Sequence, residues 1–329
     1  GLPLLRNSNK PGIQELLKHA KIETPDLRSQ DVLFRLTPLL NSSGRMGSPN
    51  KALELLLSKD PQNAAHRMAA IQETNTERRA IEEEVWNAAL KAKKELEDRE
   101  GTQEVLVLAH QDWHQGVIGI VAAKLVEKFG IPTAVCAIDA EGSAKGSCRT
   151  PPGYNWHKAL ASQQNLLGKW GGHAFAAGFS LDGSNLSAFR HGLNQEVKQL
   201  HRETIEADDV QTHVCVDMRE INSETLDWLG RFEPFGHGNP SPVFYDSGVL
   251  LARECRVVAK KHLKIRLKKG RKEFDCIAFG LGHLAKDIQR VKSPLEIAYI
   301  PMWNYFRNQK SIQLQVMGIK HSNIHQTKA

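Results

Sequence analysis

The sequence is poor in cysteine. Its five cysteines (Cys136, Cys148, Cys215, Cys255 and Cys276) are widely spaced, with no Cys-x-x-Cys pair. An odd, scattered set argues against a disulfide framework and a structural zinc site, and for a reducing compartment. No apolar run approaches the roughly 20 residues that a membrane span needs, and no signal-peptide pattern is visible. Acidic residues are outnumbered, 37 against 44 basic, and the formal net charge of +7 suits a polyanion partner without demanding one. Hydrophobic and charged contents of 40% and 25% are those of a soluble globular protein. At 329 residues the chain is too long for one ordinary core, so two or three domains are expected. The opening Gly1-Leu2-Pro3-Leu4-Leu5 lacks Met and reads like the middle of something, which suggests a fragment.

Four regions follow. Residues 1–60 read as short helices and loops: a helix after Pro11, a helix over residues 32–36 capped by Asp31, and one opened by Ser48-Pro49. The stretch Asn41-Ser42-Ser43-Gly44-Arg45-Met46-Gly47-Ser48 between them fits a loop. From Pro61 to about Arg99 no further Pro or Gly occurs, and Ile71, Ile81, Val85, Ala88 and Ala92 recur at helical spacing. That predicts one helix of about 55 Å, too polar around residues 74–79 to be buried on all sides, and read as a connector between two bodies. Residues 102–203 alternate strand and helix, an α/β pattern with glycine loops at element ends. Residues 204–329 carry short apolar runs between turns, including 213–216, 243–244, 249–251, 257–258, 263–267, 276–279, 295–300 and 312–316, which suggest a small β-barrel.

Two glycine-rich stretches stand out in the α/β region. Gly171-Gly172-His173-Ala174-Phe175-Ala176-Ala177-Gly178 lets backbone approach a ligand, and Gly146-Ser147-Cys148-Arg149-Thr150-Pro151-Pro152-Gly153 offers a hydroxyl and a guanidinium. Together they read as two sides of a pocket for an anion, with Arg149 gripping a phosphate; the alternative is a tight turn at Gly171-Gly172 and a core or surface histidine at His173. Arg45, between Gly44 and Gly47, is a second phosphate candidate or a solvated loop arginine. His110, Asp112 and His114 would share a face on an extended strand, but lack the further ligands of a dinuclear metal centre, so His114 is read as a substrate contact. In the barrel, Lys260, Lys261, Lys264, Arg266, Lys268, Lys269, Arg271 and Lys272 crowd one hairpin, with Lys264 and Arg266 on one face. Trp303, Tyr305, Phe306 and Arg307 mark a second loop, and cations beside aromatics suit single-stranded nucleic acid, where bases stack; the alternative is a solvated hairpin.

Five segments carry a resemblance. Leu40-Asn41-Ser42-Ser43-Gly44-Arg45-Met46-Gly47, Trp113-His114-Gln115-Gly116-Val117-Ile118-Gly119-Ile120-Val121-Ala122, Lys145-Gly146-Ser147-Cys148-Arg149, the Gly171-Gly172-His173 stretch and Glu233-Pro234-Phe235-Gly236-His237-Gly238-Asn239-Pro240 resemble, in order, the RecJ family of bacterial single-strand-specific DNA exonucleases, which are DHH phosphoesterases. The resemblance implies the C-terminal end of a DHH domain at 1–60, a connector helix at 61–101, an α/β DHHA1 domain at 102–203 and an OB-fold at 204–329. It also implies 5′→3′ hydrolysis of single-stranded DNA in repair and recombination. The Mn²⁺ or Mg²⁺ ions would be held by a DHH domain N-terminal to Gly1, since no Asp-His-His occurs here. This chain would then contain no catalytic residue and would hold substrate, with surfaces from two bodies forming one trough. The implied contacts are Arg45, His114, Ser147, Arg149, Gly171, Gly172 and His173, with Lys264 and Arg266 on the barrel. Single-strand-binding protein and a RecQ-type helicase are implied partners of a cytoplasmic monomer free of the membrane. Cys148 stands where a small residue is expected, and His237 is read as structural. The competing functions are a non-cutting single-strand binder and a DHH-family RNA phosphodiesterase.

Overall fold

The computed structural model describes residues 1–22, 27–151, 153–200, 212, 214–236, 238–259, 262–306 and 309–321. Pro152, His213, His237, Lys260, Lys261 and Arg307 therefore lie outside the described residues. The chain divides into two units, Gly1–Ile205 and Glu206–Lys328.

The first unit begins with helices α1 (Leu2–Arg6), α2 (Pro11–His19), α3 (Ser29–Asp31), α4 (Thr37–Met46) and α5 (Asn50–Leu56), with a π-helical turn, Val32–Leu36, leading into α4. Two expectations change here. Asp31 does not cap the helix that follows it; its carboxylate reaches back to the Arg28 N–H at 3.1 Å, from the third position of α3. The stretch 41–46 is helix rather than loop, because Leu39, Ser42 and Ser43 are buried. Tertiary packing overrides the weak helix propensity of Asn, Ser and Gly.

Helix α6 (Pro61–Glu100) runs 40 residues, about 60 Å. Asp60 caps it by accepting from the Asn63 N–H at 2.7 Å, and Gly101 at φ +79° ends it. Its first half packs Ala64, Met68 and Ile71 against α2, α4 and α5; its second half packs Val85, Ala89 and Leu96 against the α/β region. Between these apolar halves lie Thr74, Asn75, Arg78 and Glu82, all buried.

The α/β region contains β1 (Leu106–His110), α7 (Ile118–Phe129), β2 (Thr133–Ile138), β3 (Ser143–Arg149), α8 (Trp156–Ser162), β4 (Leu167–Gly172), β5 (Ala176–Asp182) and α9 (Leu186–Leu200). The sheet order is β1-β2-β3-β5-β4, with β1 and β2 parallel across the α7 crossover and the rest antiparallel. One face packs Val135, Leu106 and Leu108 under α7 and α6; the other packs Ala134, Phe179 and Trp156 with Phe189 of α9. Of the residues read as an Arg149 loop, Gly146 to Arg149 belong to β3, since β2 and β5 flank them on both sides, and Thr150 and Pro151 follow the strand.

The second unit is a closed barrel. After a short β6 (Val214–Cys215) and α10 (Ser223–Gly230) come β7 (Phe244–Val258), β8 (His262–Lys269), β9 (Lys272–Ala278), α11 (Ala285–Arg290), β10 (Leu295–Phe306) and β11 (Gln309–Lys320). The order β7-β8-β9-β11-β10 closes through β10–β7 pairing, the five-stranded arrangement of an OB-fold, with β6 added alongside β7. Phe244 and the apolar runs at 249–251 and 257–258 belong to one long irregular strand rather than three short ones. Trp303 lies within β10, not on a loop, and the strand continues to Phe306.

Candidate functional site

Period-2 alternation on β3 decides what that strand offers. Ala144, Gly146 and Cys148 face one core, and Lys145, Ser147 and Arg149 face the other way. The N-terminus of α7 and the C-terminus of α4 come up to these three side chains. They enclose a cavity of about 580 Å³, lined by Arg45 and Gly47 of the α4 end, His114, Gly116 and Gly119 at the α7 start, and Lys145, Ser147 and Arg149. No carboxylate lines it.

The polar geometry is well defined. Arg45 donates from Nη1 to the Gly116 carbonyl at 3.1 Å. The Gly116 N–H donates to His114 Nδ1 at 3.0 Å, so in the neutral ring the proton sits on Nε2, free to donate to a ligand. Arg149 Nη1 donates to Ser147 Oγ at 3.2 Å and to the Cys148 carbonyl at 2.6 Å, while Trp156 Nε1–H anchors the Arg149 carbonyl at 2.8 Å. Burial first, then Arg78 and Arg149 nearby, lower the Arg45 pKa from its ordinary value; Glu82 opposes them. Ile118 and Gly119 in the first turn of α7 bring the positive end of a 12-residue helix dipole whose N-terminus has no side-chain cap.

Two glycines make the close approach possible. A Cβ on Gly116 would stand 1.9 Å from the Arg45 carbonyl oxygen, and one on Gly119 would stand 2.9 Å from Ser147 Oγ and 3.2 Å from Arg149 Nη2. Backbone cannot yield in the first case; the Ser147 and Arg149 side chains would be displaced in the second.

Four of the predicted contacts, Arg45, His114, Ser147 and Arg149, thus line one cavity. Gly171, Gly172 and His173 do not line it. Gly171 pairs with Gly178, which pairs with Ser147, so it lies two strands across in the same row, about 10 Å away. Gly172 turns the chain at φ +139°, and the exposed His173 closes that turn by donating its N–H to the Ala176 carbonyl at 2.8 Å. Between these residues and the cavity the sheet face presents only Ala176, Gly178 and Ser180, a low shelf without large side chains. Sequence reading passed over Lys145 and Gly119; the signals were the alternation 145/147/149 and a glycine one turn into an apolar helix. Cys148 faces the core beside Cys136, whose thiol burial pushes up to about 12, so it packs and does not react.

The metal-ion question is answered locally. His110 Nδ1 accepts from the Asp112 N–H at 3.1 Å and His114 Nδ1 from Gly116, and no group of three or more His, Cys, Asp or Glu that could hold a metal occurs among the described residues. These residues do not fit a dinuclear centre.

On the barrel, Lys264 is exposed on the outer face of β8, beside Arg256 across the strand pair. Arg266, on the same face, sits 3.1 Å from Glu273 and 3.9 Å from Asp275. Lys269 is held by Asp246 at 2.6 Å and Asp217 at 3.1 Å, and Lys272 donates to the Arg219 and Ile221 carbonyls. Half the described basic hairpin is therefore structural. Lys310 places its ammonium 3.8 Å above the Trp303 ring.

A DHHA1 domain model matches residues 102–199, and a RecJ OB domain model matches residues 212–318. The chain joins a DHHA1 domain to a RecJ OB domain. It is similar to the single-stranded-DNA-specific exonuclease RecJ of Bacillus subtilis (strain 168), 31% identical over 322 residues, covering 96% of this chain and 40% of that protein. The RecJ of Dickeya dadantii (strain 3937) is 32% identical over 318 residues, covering 93% of this chain and 54% of the relative. The crystal structure of RecJ in complex with Mn²⁺ from Thermus thermophilus superposes with a TM-score of 0.79 at 26% identity, over 98% of this chain and 46% of that one. The Mg²⁺ complex from the same organism gives 0.78 at 25% identity. The chain thus spans about half the length, or less, of the proteins it matches. No helix among the described residues is long and apolar enough to cross a membrane.

Proposed function

We propose that this chain is the substrate-holding portion of a single-stranded-DNA-specific 5′→3′ exonuclease acting in DNA repair and recombination. One observation carries the reading: Arg45, Lys145 and Arg149, from segments about 100 residues apart, converge on a cavity with a helix N-terminus and no lining carboxylate. That arrangement suits a phosphate group, which takes planar guanidinium donors and helix-terminal N–H groups together. His114 Nε2–H and Ser147 Oγ add neutral donors, and the low shelf leading to Gly171, Gly172 and His173 has room for the terminal nucleotide. On the barrel, Lys264 supplies a backbone contact and Trp303 with Lys310 a stacking surface, with Arg266 as a weaker contact.

Within this reading residues 1–60 are the end of a DHH domain, 61–101 its connector helix, 102–203 the DHHA1 domain and 204–329 the OB-fold. Mn²⁺ or Mg²⁺ would activate water in the longer protein, outside this chain. The same reading includes a cytoplasmic monomer that works with single-strand-binding protein and a RecQ-type helicase; similarity to RecJ is its support.

The test is fluorescence anisotropy with short oligothymidylates ending in a phosphate or a hydroxyl at the 5′ end. Tighter binding of the phosphate-ended strand is expected, with Arg149→Ala abolishing the preference. Equal affinity for both would remove the cavity from the function, and stronger binding of the matching RNA would shift the reading to an RNA phosphodiesterase.

A further inference from the structure

The middle of α6 poses a problem that the cavity alone does not explain. Thr74, Asn75, Arg78 and Glu82 are 4–8% exposed, sandwiched between two apolar clusters of the same helix. Asn75 Oδ1 accepts from Arg78 Nε at 3.3 Å and Nη2 at 3.1 Å. Arg78 pairs with Glu82, and Glu82 pairs in turn with Lys124 of α7. Apolar residues of similar volume would pack the middle of α6 at least as firmly as the buried Arg78–Glu82 pair. Charge kept at such a place calls for a second role.

Its position supplies one. Both walls of the cavity rest on α6: α4, which carries Arg45 in its last turn, and α7, which begins at Ile118. The cavity lining contains three cations and no anion. Glu82 is the carboxylate that acts on Arg45 against the repulsion of Arg78 and Arg149.

We propose that Glu82 is a positioning residue for the anion cavity: paired with Arg78 on its own helix and with Lys124 across the α6–α7 seam, it sets how much positive charge the cavity presents to a phosphate. Neutralising it exposes the ligand to an uncompensated Arg78, and neutralising Lys124 leaves Glu82 a stronger counter-charge behind the cavity. The two changes act in opposite directions on ligand affinity although both remove an ion pair. This inference rests on the phosphate reading of the cavity.

The experiment measures binding of a 5′-phosphorylated pentathymidylate to the 329-residue chain, with Tm recorded for each variant. Glu82→Gln should tighten binding roughly threefold to tenfold at low salt and steepen its salt dependence, the scale of one unit charge in a partly screened site. Lys124→Gln should weaken binding by a similar factor. Both should lower Tm. Affinity changes of the same sign, or none, in a wild type that binds the probe would overturn the inference and leave the phosphate reading intact. A wild type that does not bind would end both. If Glu82→Gln fails to fold, Lys124→Gln and Lys124→Glu, at a half-exposed position, must weaken binding progressively; a flat response overturns the inference equally.

Discussion

The two units carry basic side chains to different ends. In the first, Arg45, Lys145 and Arg149 come from separate elements and meet around a cavity that no carboxylate lines. In the second, the basic residues are neighbours along one hairpin, yet Lys269 pairs with Asp246 and Asp217, Arg266 with Glu273, and Lys272 caps carbonyls of the Arg219–Ile221 turn. Density of charge in a sequence is therefore a poor guide to charge available for a ligand. Convergence of a few cations from distant positions, without acids between them, is a better one.

That contrast can be broken by substitution. The largest effect is expected on stability in the barrel. Lys269→Ala leaves Asp246, 3% exposed, without its cation, and should cost about 2–3 kcal/mol, read by denaturant unfolding, with little change in strand binding. A stable Lys269→Ala protein that binds poorly would reverse the assignment of that lysine. Next comes Arg149→Ala, which removes a charge-assisted donor set and should weaken phosphate-ended oligonucleotides about 10- to 100-fold while leaving Tm nearly unchanged.

Gly119→Ala should follow, because its Cβ would press Ser147 Oγ and Arg149 Nη2 out of place; a several-fold loss of affinity is expected, and unaltered binding would show that these side chains adapt. Smaller still is the comparison of Lys264→Ala with Arg266→Ala. The first should weaken binding by about twofold to fivefold and flatten the salt dependence, and the second, already neutralised by Glu273, should do less. Larger loss at Arg266 would contradict the distinction between free and engaged cations.

A pH experiment sharpens the barrel half of the contrast. Hydrogen bonds from the Arg219 side chain, then the Arg219 N–H and Lys269, hold the Asp217 carboxyl well below the usual carboxylate range. A depressed folded pKa contributes stability above the unfolded value, near 4, and loses it as pH falls through the folded one. Barrel stability should thus be flat around neutral pH and decline below about pH 4, and Asp217→Asn should flatten the decline.

Much of the fold was legible. The absence of Pro and Gly after Pro61 announced α6, and Gly130 in a left-handed conformation ends α7 where the apolar run stops. What escaped was set by packing. Arg45 reads as a loop residue among Asn, Ser and Gly, yet Leu39, Ser42 and Ser43 are buried and keep the segment helical. Arg149 reads as part of a turn because Pro151 follows it, but pairing with Ala176 and Thr133 on either side makes it the end of a strand. Once that strand is recognised, Lys145 joins the site by alternation alone. The separation of Gly171, Gly172 and His173 from the cavity was beyond reach, since it depends on β5 lying between β3 and β4.

The central claim is that the α4–α7–β3 cavity receives the terminal phosphate of a single strand. Titrating wild type and Arg149→Ala with 5′-phosphorylated and 5′-hydroxyl oligothymidylates tests it directly. A preference of at least tenfold for the phosphorylated strand, lost in the variant, is the predicted result; the same preference in both proteins, or none in the wild type, would contradict it.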